Sequence, residues 1–250
     1  MNNKNLNNFI NNGYCIINLF DKKEFKHLCR KIEKKINNQL SKNKKIQFSK
    51  LYNYHKKGLE DDHGNVINSE TRFILLDKKL INPIYSNKTI KKISQFFWGH
   101  SKYDIKWVGS LKNPMKKNAT GFRIARPIKF STKDVGGEHI DLHYGGAKNK
   151  NQKKLFTIWC PIIGFSNSYT LRLAPKSHKM DHPFNKLSNQ KKYITKVFKK
   201  TYVKKFNFVR PNLKPGQGIF FHPNLIHGSS LNYGTKTRIS IDLRIFNNDI

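Results

Sequence analysis

Gly136-Gly137-Glu138-His139-Ile140-Asp141-Leu142-His143 decides the reading of this 250-residue chain. Read as a strand, it sends residues two apart to the same face. His139 and Asp141 then project together, imidazole beside carboxylate. That pair is two-thirds of a 2-His-1-carboxylate facial triad, the arrangement that holds Fe(II) and leaves three coordination positions open. Taken alone, the pair has a plainer alternative, a surface His–Asp hydrogen bond. His143 falls on the face of Asp141 if the strand continues, beside the site or simply exposed.

A second stretch completes the pattern. Pro215-Gly216-Gln217-Gly218-Ile219-Phe220-Phe221-His222-Pro223-Asn224-Leu225-Ile226-His227-Gly228-Ser229-Ser230 gives a turn, a strand, another turn and a histidine at the start of the next strand. His227 is the candidate third ligand. His222, five residues earlier, is an alternative ligand or a packed histidine at a strand end. Eleven residues beyond His227 comes Arg238, with Ser240 two residues on. Guanidinium and hydroxyl on one strand face can grip a carboxylate. The sequence thus offers a metal site and, near it, an anchor for an anionic co-substrate.

Outward from these stretches, short apolar runs alternate with Gly, Pro and Asn turns: Tyr103–Ser110, Phe122–Ile128, Leu155–Ile162, Leu171–Ala174, Gly218–His222 and Arg238–Phe246. Their spacing predicts a mainly β sandwich or jelly roll with flanking helices. The first hundred residues read as its helix-rich support. Gly13–Ile17 is a short buried strand. Asp21 and Glu24 form a capping box ahead of Phe25, Leu28, Cys29, Ile32 and Ile36 at helical spacing. Residues 41–70 read as a polar loop or insertion. Ile81 to Trp98 reads as a helix with Ile90, Ile93, Phe96 and Phe97 on one face. About 180–206 the core is interrupted by a Lys-rich insertion (Lys191, Lys192, Lys196, Lys199, Lys200, Lys204, Lys205), a solvated face or a substrate-facing lid.

Composition limits the alternatives. Hydrophobic residues make up 37% and aromatics 12%, too much apolar surface for a disordered chain. No run of 18 apolar residues exists, so no transmembrane helix is expected. Three scattered cysteines (Cys15, Cys29, Cys160) without a CxxC pair argue against a disulfide framework and point to the cytoplasm. Net charge is +34, from 49 Lys and Arg against 15 Asp and Glu. Such a field attracts anions, whether small metabolites, nucleic acid or lipid headgroups. Only eight of the basic residues are arginine, and no aromatic stripe is interleaved with the lysines. A nucleic-acid-directed protein therefore ranks last. Arg123 and Arg126 are either contacts for an acidic substrate or surface residues beside a Pro turn. His178 reads as a brace for its loop, and Trp159 and Cys160 as core.

In this order the motifs resemble the phytanoyl-CoA dioxygenase-like family of Fe(II)/2-oxoglutarate-dependent oxygenases. Phe9–Ile36 is similar to that family's Gly-Tyr strand and Asp-capped helix. Leu155–Ile162 resembles its apolar strand ending in Trp-x-Pro. Leu171-Arg172-Leu173-Ala174-Pro175-Lys176-Ser177-His178 resembles its Leu-x-x-x-Pro-Gly-Ser-His segment, with Lys176 where the family usually has Gly. The Arg123–Pro127 stretch leading into Asp134 is similar to a branch found in aminoglycoside and surface-sugar biosynthesis. The resemblance implies one double-stranded β-helix domain over 1–250, a cupin-like jelly-roll barrel whose core is 101–250. It implies His139, Asp141 and His227 as iron ligands. Arg238, Trp159 and Ser229 are implied to hold 2-oxoglutarate, to which strand geometry adds Ser240. The implied activity is hydroxylation of a small metabolite, anionic or sugar-derived, with O₂, releasing succinate and CO₂. A non-catalytic jelly-roll protein binding an acidic sugar is the alternative.

Overall fold

The computed structural model describes residues 3–40, 44–56, 60–67, 72–107, 116–131, 134–143, 155–182, 197–229 and 231–248. Helix α1 (Lys4–Asn12) ends at Gly13, where φ is 82° and the backbone N–H returns to the Phe9 carbonyl. Only glycine suits this left-handed cap, because a Cβ there would also run into the His178 ring at 2.6 Å. The chain then enters β1 (Tyr14–Asn18). Asp21 and Glu24 cap α2 (Lys22–Asn37) reciprocally, and its buried face is Leu28, Cys29, Ile32 and Ile36, as the spacing requires.

Between 41 and 70 the structure departs from the expected loop. Phe48–Lys56 forms a 3₁₀ helix that buries Leu51 and Tyr54, and α3 spans Glu60–Val66. The polar composition concealed these two apolar anchors, three residues apart and so on one side of the 3₁₀ helix. After β2 (Phe73–Leu75), the single helix expected over 81–98 is two, α4 (Lys78–Tyr85) and α5 (Lys88–Trp98). Asn87 breaks the run because its side chain caps the second helix, accepting from the Thr89 and Ile90 N–H groups. Ile90 and Ile93 are buried, whereas Phe96 is exposed and Phe97 half-exposed.

The strands follow: β3 (Tyr103–Trp107), β4 (Lys116–Lys117), β5 (Ala119–Ala125), β6 (Leu155–Ile163), β7 (Leu171–Leu173), then the short helix α6 (Lys200–Val203), β8 (Gln217–Phe221), β9 (His227–Ser229) and β10 (Arg238–Asn247). An antiparallel main sheet runs β1-β8-β6-β10, and β10 then pairs with β5 along its first half and with β3 along its second. A small sheet, β7-β9, lies apart from it. Single bridges extend the small sheet at both edges, His139 to His227 and Val209 to Leu173. Strand pairing does not close the two sheets into a continuous barrel among the described residues.

Alternation on β10 sorts the interior. Ile239, Ile241, Leu243 and Ile245 are wholly buried and join the core with Phe9, Leu28, Ile32, Ile90 and Ile93 from the helices. Each such side chain contributes roughly 1.5–3 kcal/mol by leaving water. The opposite face carries Arg238, Ser240, Asp242 and Arg244. Beside it, Trp159, Ile219 and Phe221 from the main sheet meet Leu171 and Leu173 from the small one. The polar half of that inter-sheet space is where the site forms. Pro161 lacks an N–H yet sits in the central strand β6. A register shift against β10 at Ile239/Ser240 accommodates it.

Candidate metal centre

The His–Asp pair does not lie on a continuous strand, as the alternation predicted. His139 makes one antiparallel bridge with His227, each N–H donating to the other's carbonyl at 2.9 Å. The chain then turns, and Asp141 opens a 3₁₀ turn, Asp141–His143. The bridge supplies the geometry that a strand would have lacked. Directly paired residues share a sheet face, so the two imidazoles stand 4.3 Å apart, centroid to centroid. The turn brings Asp141 in beside them. Its Oδ1 is 4.0 Å from His139 Nε2 and 3.7 Å from His227 Nε2. The three sequence-predicted ligands are thus together, with one ligand atom from each lying within 4.8 Å of the others.

Both histidines are held in the tautomer a metal needs. His139 Nδ1 lies 2.9 Å from the Gly137 carbonyl and His227 Nδ1 2.9 Å from the Leu225 carbonyl. Each Nδ1–H therefore donates to backbone, and each Nε2 lone pair faces Asp141. Burial, then the neighbouring His227, pushes the His139 pKa down to about 3, and burial lowers that of His227. Burial alone would raise the Asp141 carboxyl. Arg244, then the two histidines and Thr157, reverse this and hold it well below the usual carboxylate range. Two neutral imidazoles and one carboxylate are the protonation states a divalent cation requires. The other Asp141 oxygen, Oδ2, accepts from Thr157 Oγ1 at 2.5 Å and from Arg244 Nη1. Oδ1 is buried and meets no hydrogen-bond donor among the described residues. An acceptor left so, between two aimed imidazoles, fits a bound cation, and the triad can hold iron.

The remaining predicted residues are placed as follows. Arg238 is buried on the inner face of β10, and its Nη1 donates to the Tyr169 carbonyl. Burial, then Arg210 and Arg123, lowers its pKa to about 10, which leaves it charged at neutral pH. Ser240 is two residues on, buried, and in register with Arg123 and Pro161. Trp159 is buried across from Asp242. Ser229 closes β9 opposite Leu171. The side chains of Ser229 and His143 lie outside the described residues. His222 is not grouped with the triad. It packs against Phe9, Phe97 and Phe156, and its Nδ1 accepts from the Asn224 N–H. His178 ties its loop to α1 through the Ile10 carbonyl. Arg126 is paired: Asp134 takes its guanidinium in a two-pronged pair at 2.8 and 2.9 Å. Lys191, Lys192 and Lys196 lie outside the described residues, while Lys199, Lys200, Lys204 and Lys205 are exposed. The unexpected part of that region is apolar. Phe198 and Tyr202 pack on Ile140 and Ile226, next to the ligands, and the Phe198 N–H donates to the Glu138 carbonyl at 2.7 Å.

Sequence reasoning missed Thr157, Asp242 and Arg244. A signal was available: in Arg238-Ile239-Ser240-Ile241-Asp242-Leu243-Arg244, every second residue is polar. Alternation alone reads as a half-exposed antiparallel strand; the structure buries both faces of β10, so the polar face lines the site.

The chain matches the phytanoyl-CoA dioxygenase (PhyH) family over residues 9–240. No curated protein sequence matches it. Among solved structures, it is similar to the non-heme alpha ketoglutarate dependent carbocyclase SnoK from nogalamycin biosynthesis, with a TM-score of 0.59 and 12% identity over 99% of this chain and 84% of that one. Similar too is EvdO2 from Micromonospora carbonacea var. aurantiaca complexed with 2-oxoglutarate, at 0.59 and 13% identity over 99% and 91%. EctD from S. alaskensis with 2-oxoglutarate and 5-hydroxyectoine gives 0.56 and 14% identity over 100% and 77%. These likenesses establish the fold, and the match over residues 9–240 establishes the lineage: the chain belongs to the phytanoyl-CoA dioxygenase family.

Proposed function

We propose that this chain is a single-domain Fe(II)- and 2-oxoglutarate-dependent dioxygenase that hydroxylates a small molecule, releasing succinate and CO₂. The observation that carries the reading is the convergence of His139 Nε2, His227 Nε2 and Asp141 Oδ1. Bound there, iron with 2-oxoglutarate supplies the oxidising chemistry. The chain's own residues do the rest. His139, Asp141 and His227 would hold the ion. Gly137 and Leu225 carbonyls fix the two rings. Thr157 and Arg244 hold the second Asp141 oxygen, so that one oxygen is presented. Arg238 receives the far carboxylate of 2-oxoglutarate, and Ser240, Ser229 and Trp159 are the residues assigned to help hold that co-substrate. The apolar inter-sheet cluster and the Phe198–Tyr202 pair keep water from the ligands. Three free, buried thiols are in keeping with a cytoplasmic setting.

Hydroxylation is the finer part of this reading, since the similar structures include a carbocyclase and an epimerase. Fe(II)-dependent succinate formation from 2-oxoglutarate, measured with a panel of small metabolites, tests it. Succinate together with a product heavier by one oxygen is the expected result. No succinate from the iron-loaded protein with any of them would count against the activity, and succinate with a product lighter by two hydrogens would replace hydroxylation by another oxidation.

A further inference from the structure

Five of the eight arginines lie around the centre. Two of these lie with the small sheet: Arg172 on β7 pairs with Glu138, and Arg210, which follows Val209 at its edge, donates to the Thr170 carbonyl and acts on Arg238. The inner face of the main sheet carries Arg123, Arg238 and Arg244. Their duties differ. Arg244 holds Asp141, and Arg238 is buried with the Tyr169 carbonyl. Arg123 stands abreast of Ser240, between those two positions, and its Nε reaches Asp242. Its side chain is 36% exposed, against 12% for Arg244, so it is the one that reaches solvent. Its charge is felt at both His139 and Arg238.

We infer that Arg123 receives an anionic group of the substrate, a carboxylate or a phosphate. This rests on the iron and 2-oxoglutarate reading above. The charges of the site argue for it. On the inner face of the main sheet three guanidiniums face two carboxylates, Asp141 and Asp242, an excess of one positive charge to which Arg210 adds beside Arg238. A ferrous ion and a doubly charged 2-oxoglutarate cancel each other. The occupied pocket therefore keeps an excess of positive charge, with Arg123 at its solvent-facing side, which favours one more negative group there. Arginine's fork suits carboxylate and phosphate oxygens alike, and a guanidinium already oriented by Asp242 loses little freedom on binding. Lysines scattered over the surface would attract an anion to the protein; Arg123 would orient it at the metal.

The test uses the anaerobic Fe(II) protein saturated with 2-oxoglutarate, whose visible charge-transfer band reports the metal complex. Acetate, inorganic phosphate and, as a neutral control, acetamide are titrated in. The inference expects acetate or phosphate to shift the band saturably, and the better of the two names the group. Affinity should fall about tenfold or more in Arg123→Gln, as for loss of a charge-assisted hydrogen bond, and should stay unchanged in Lys199→Gln/Lys200→Gln. Should Arg123→Gln unfold because Asp242 is left without it, Arg123→Gln/Asp242→Asn carries the same expectation. Equal titrations with and without Arg123, or acetamide as effective as acetate, would overturn it. So would loss of the band in proportion to displaced 2-oxoglutarate, which would put the anion at Arg238. A band that forms in none of the proteins would instead remove the iron reading itself.

Discussion

At the scale of single residues, the two kinds of ligand are supported differently, and their variants should fail differently. His139→Ala removes a ring whose Nδ1 meets only a backbone carbonyl. It should abolish iron binding while leaving the unfolding midpoint nearly unchanged. Asp141 is 1% exposed and holds Arg244 and Thr157. Asp141→Ala removes the carboxylate bound to the buried Arg244 guanidinium and should also cost about 3–5 kcal/mol of stability. Denaturant titration of both apoproteins separates them; equal stabilities would show that Arg244 does not depend on Asp141. Arg238→Ala should raise the 2-oxoglutarate concentration for half-maximal succinate formation, and an unchanged requirement would place the co-substrate elsewhere. Lys176 illustrates how a family motif keeps its backbone without its usual residue. Its φ is 68°, the left-handed conformation that glycine favours. Lys176→Gly should therefore stabilise the protein by up to about 1 kcal/mol, and a loss of stability would show that the lysine side chain is needed there.

At the scale of elements, the packing of β6 against β10 positions Arg238. Gly164, just past β6, has a φ of 66°, and a Cβ there would lie 1.9 Å from the Thr237 carbonyl oxygen, next to Arg238. Gly164→Ala should lower stability by about 1–3 kcal/mol and weaken 2-oxoglutarate binding together with it. A destabilised variant with normal binding would uncouple the turn from the anchor. The junction of α1 with the main sheet should be acid-sensitive. Burial, then His178, pushes the His222 pKa down to about 4. Its unfolded value is about 6.5, so the unfolded chain binds the proton first. The stabilising contribution is complete above about pH 6.5 and is lost as pH falls towards 4, at up to about 1.4 kcal/mol per pH unit. His222→Gln should flatten that part of the stability profile, and an unaltered slope would assign it to other histidines.

The elements also show what the sequence could disclose. Strands β5, β6, β8 and β10 and the capped α2 were readable, because period-two apolar runs, a capping box and turn residues are local signals; His139, Asp141 and His227 were picked out as a set by the family resemblance, and the structure groups them. The bridge between His139 and His227 was not readable, since it joins residues 88 apart and leaves no periodic trace in a single stretch. The 3₁₀ turn at Asp141 was hidden for the same reason. Alternation over four residues fits a strand, and only the distant partners of Asp141, Thr157 and Arg244, show why the chain turns. The helical anchors between 41 and 70 were masked by their polar neighbours.

For the whole molecule, charge dominates. A net +34 on 250 residues repels itself. The unfolding midpoint should rise as sodium chloride is added from low to physiological ionic strength, where the screening length is about 8 Å. A falling midpoint would show that specific ion pairs outweigh the repulsion. Among the described residues, no helix is long and apolar enough to cross a membrane. The helices instead cover one face of the main sheet, and the polar half of its other face holds the centre.

Fe(II) binding stoichiometry, measured anaerobically by calorimetry on the wild-type protein and on His139→Ala and His227→Ala, addresses the triad most directly. One ferrous ion per wild-type chain and none at comparable affinity in either variant is the result this account requires. Iron bound equally well by all three proteins would mean that these side chains do not form its site.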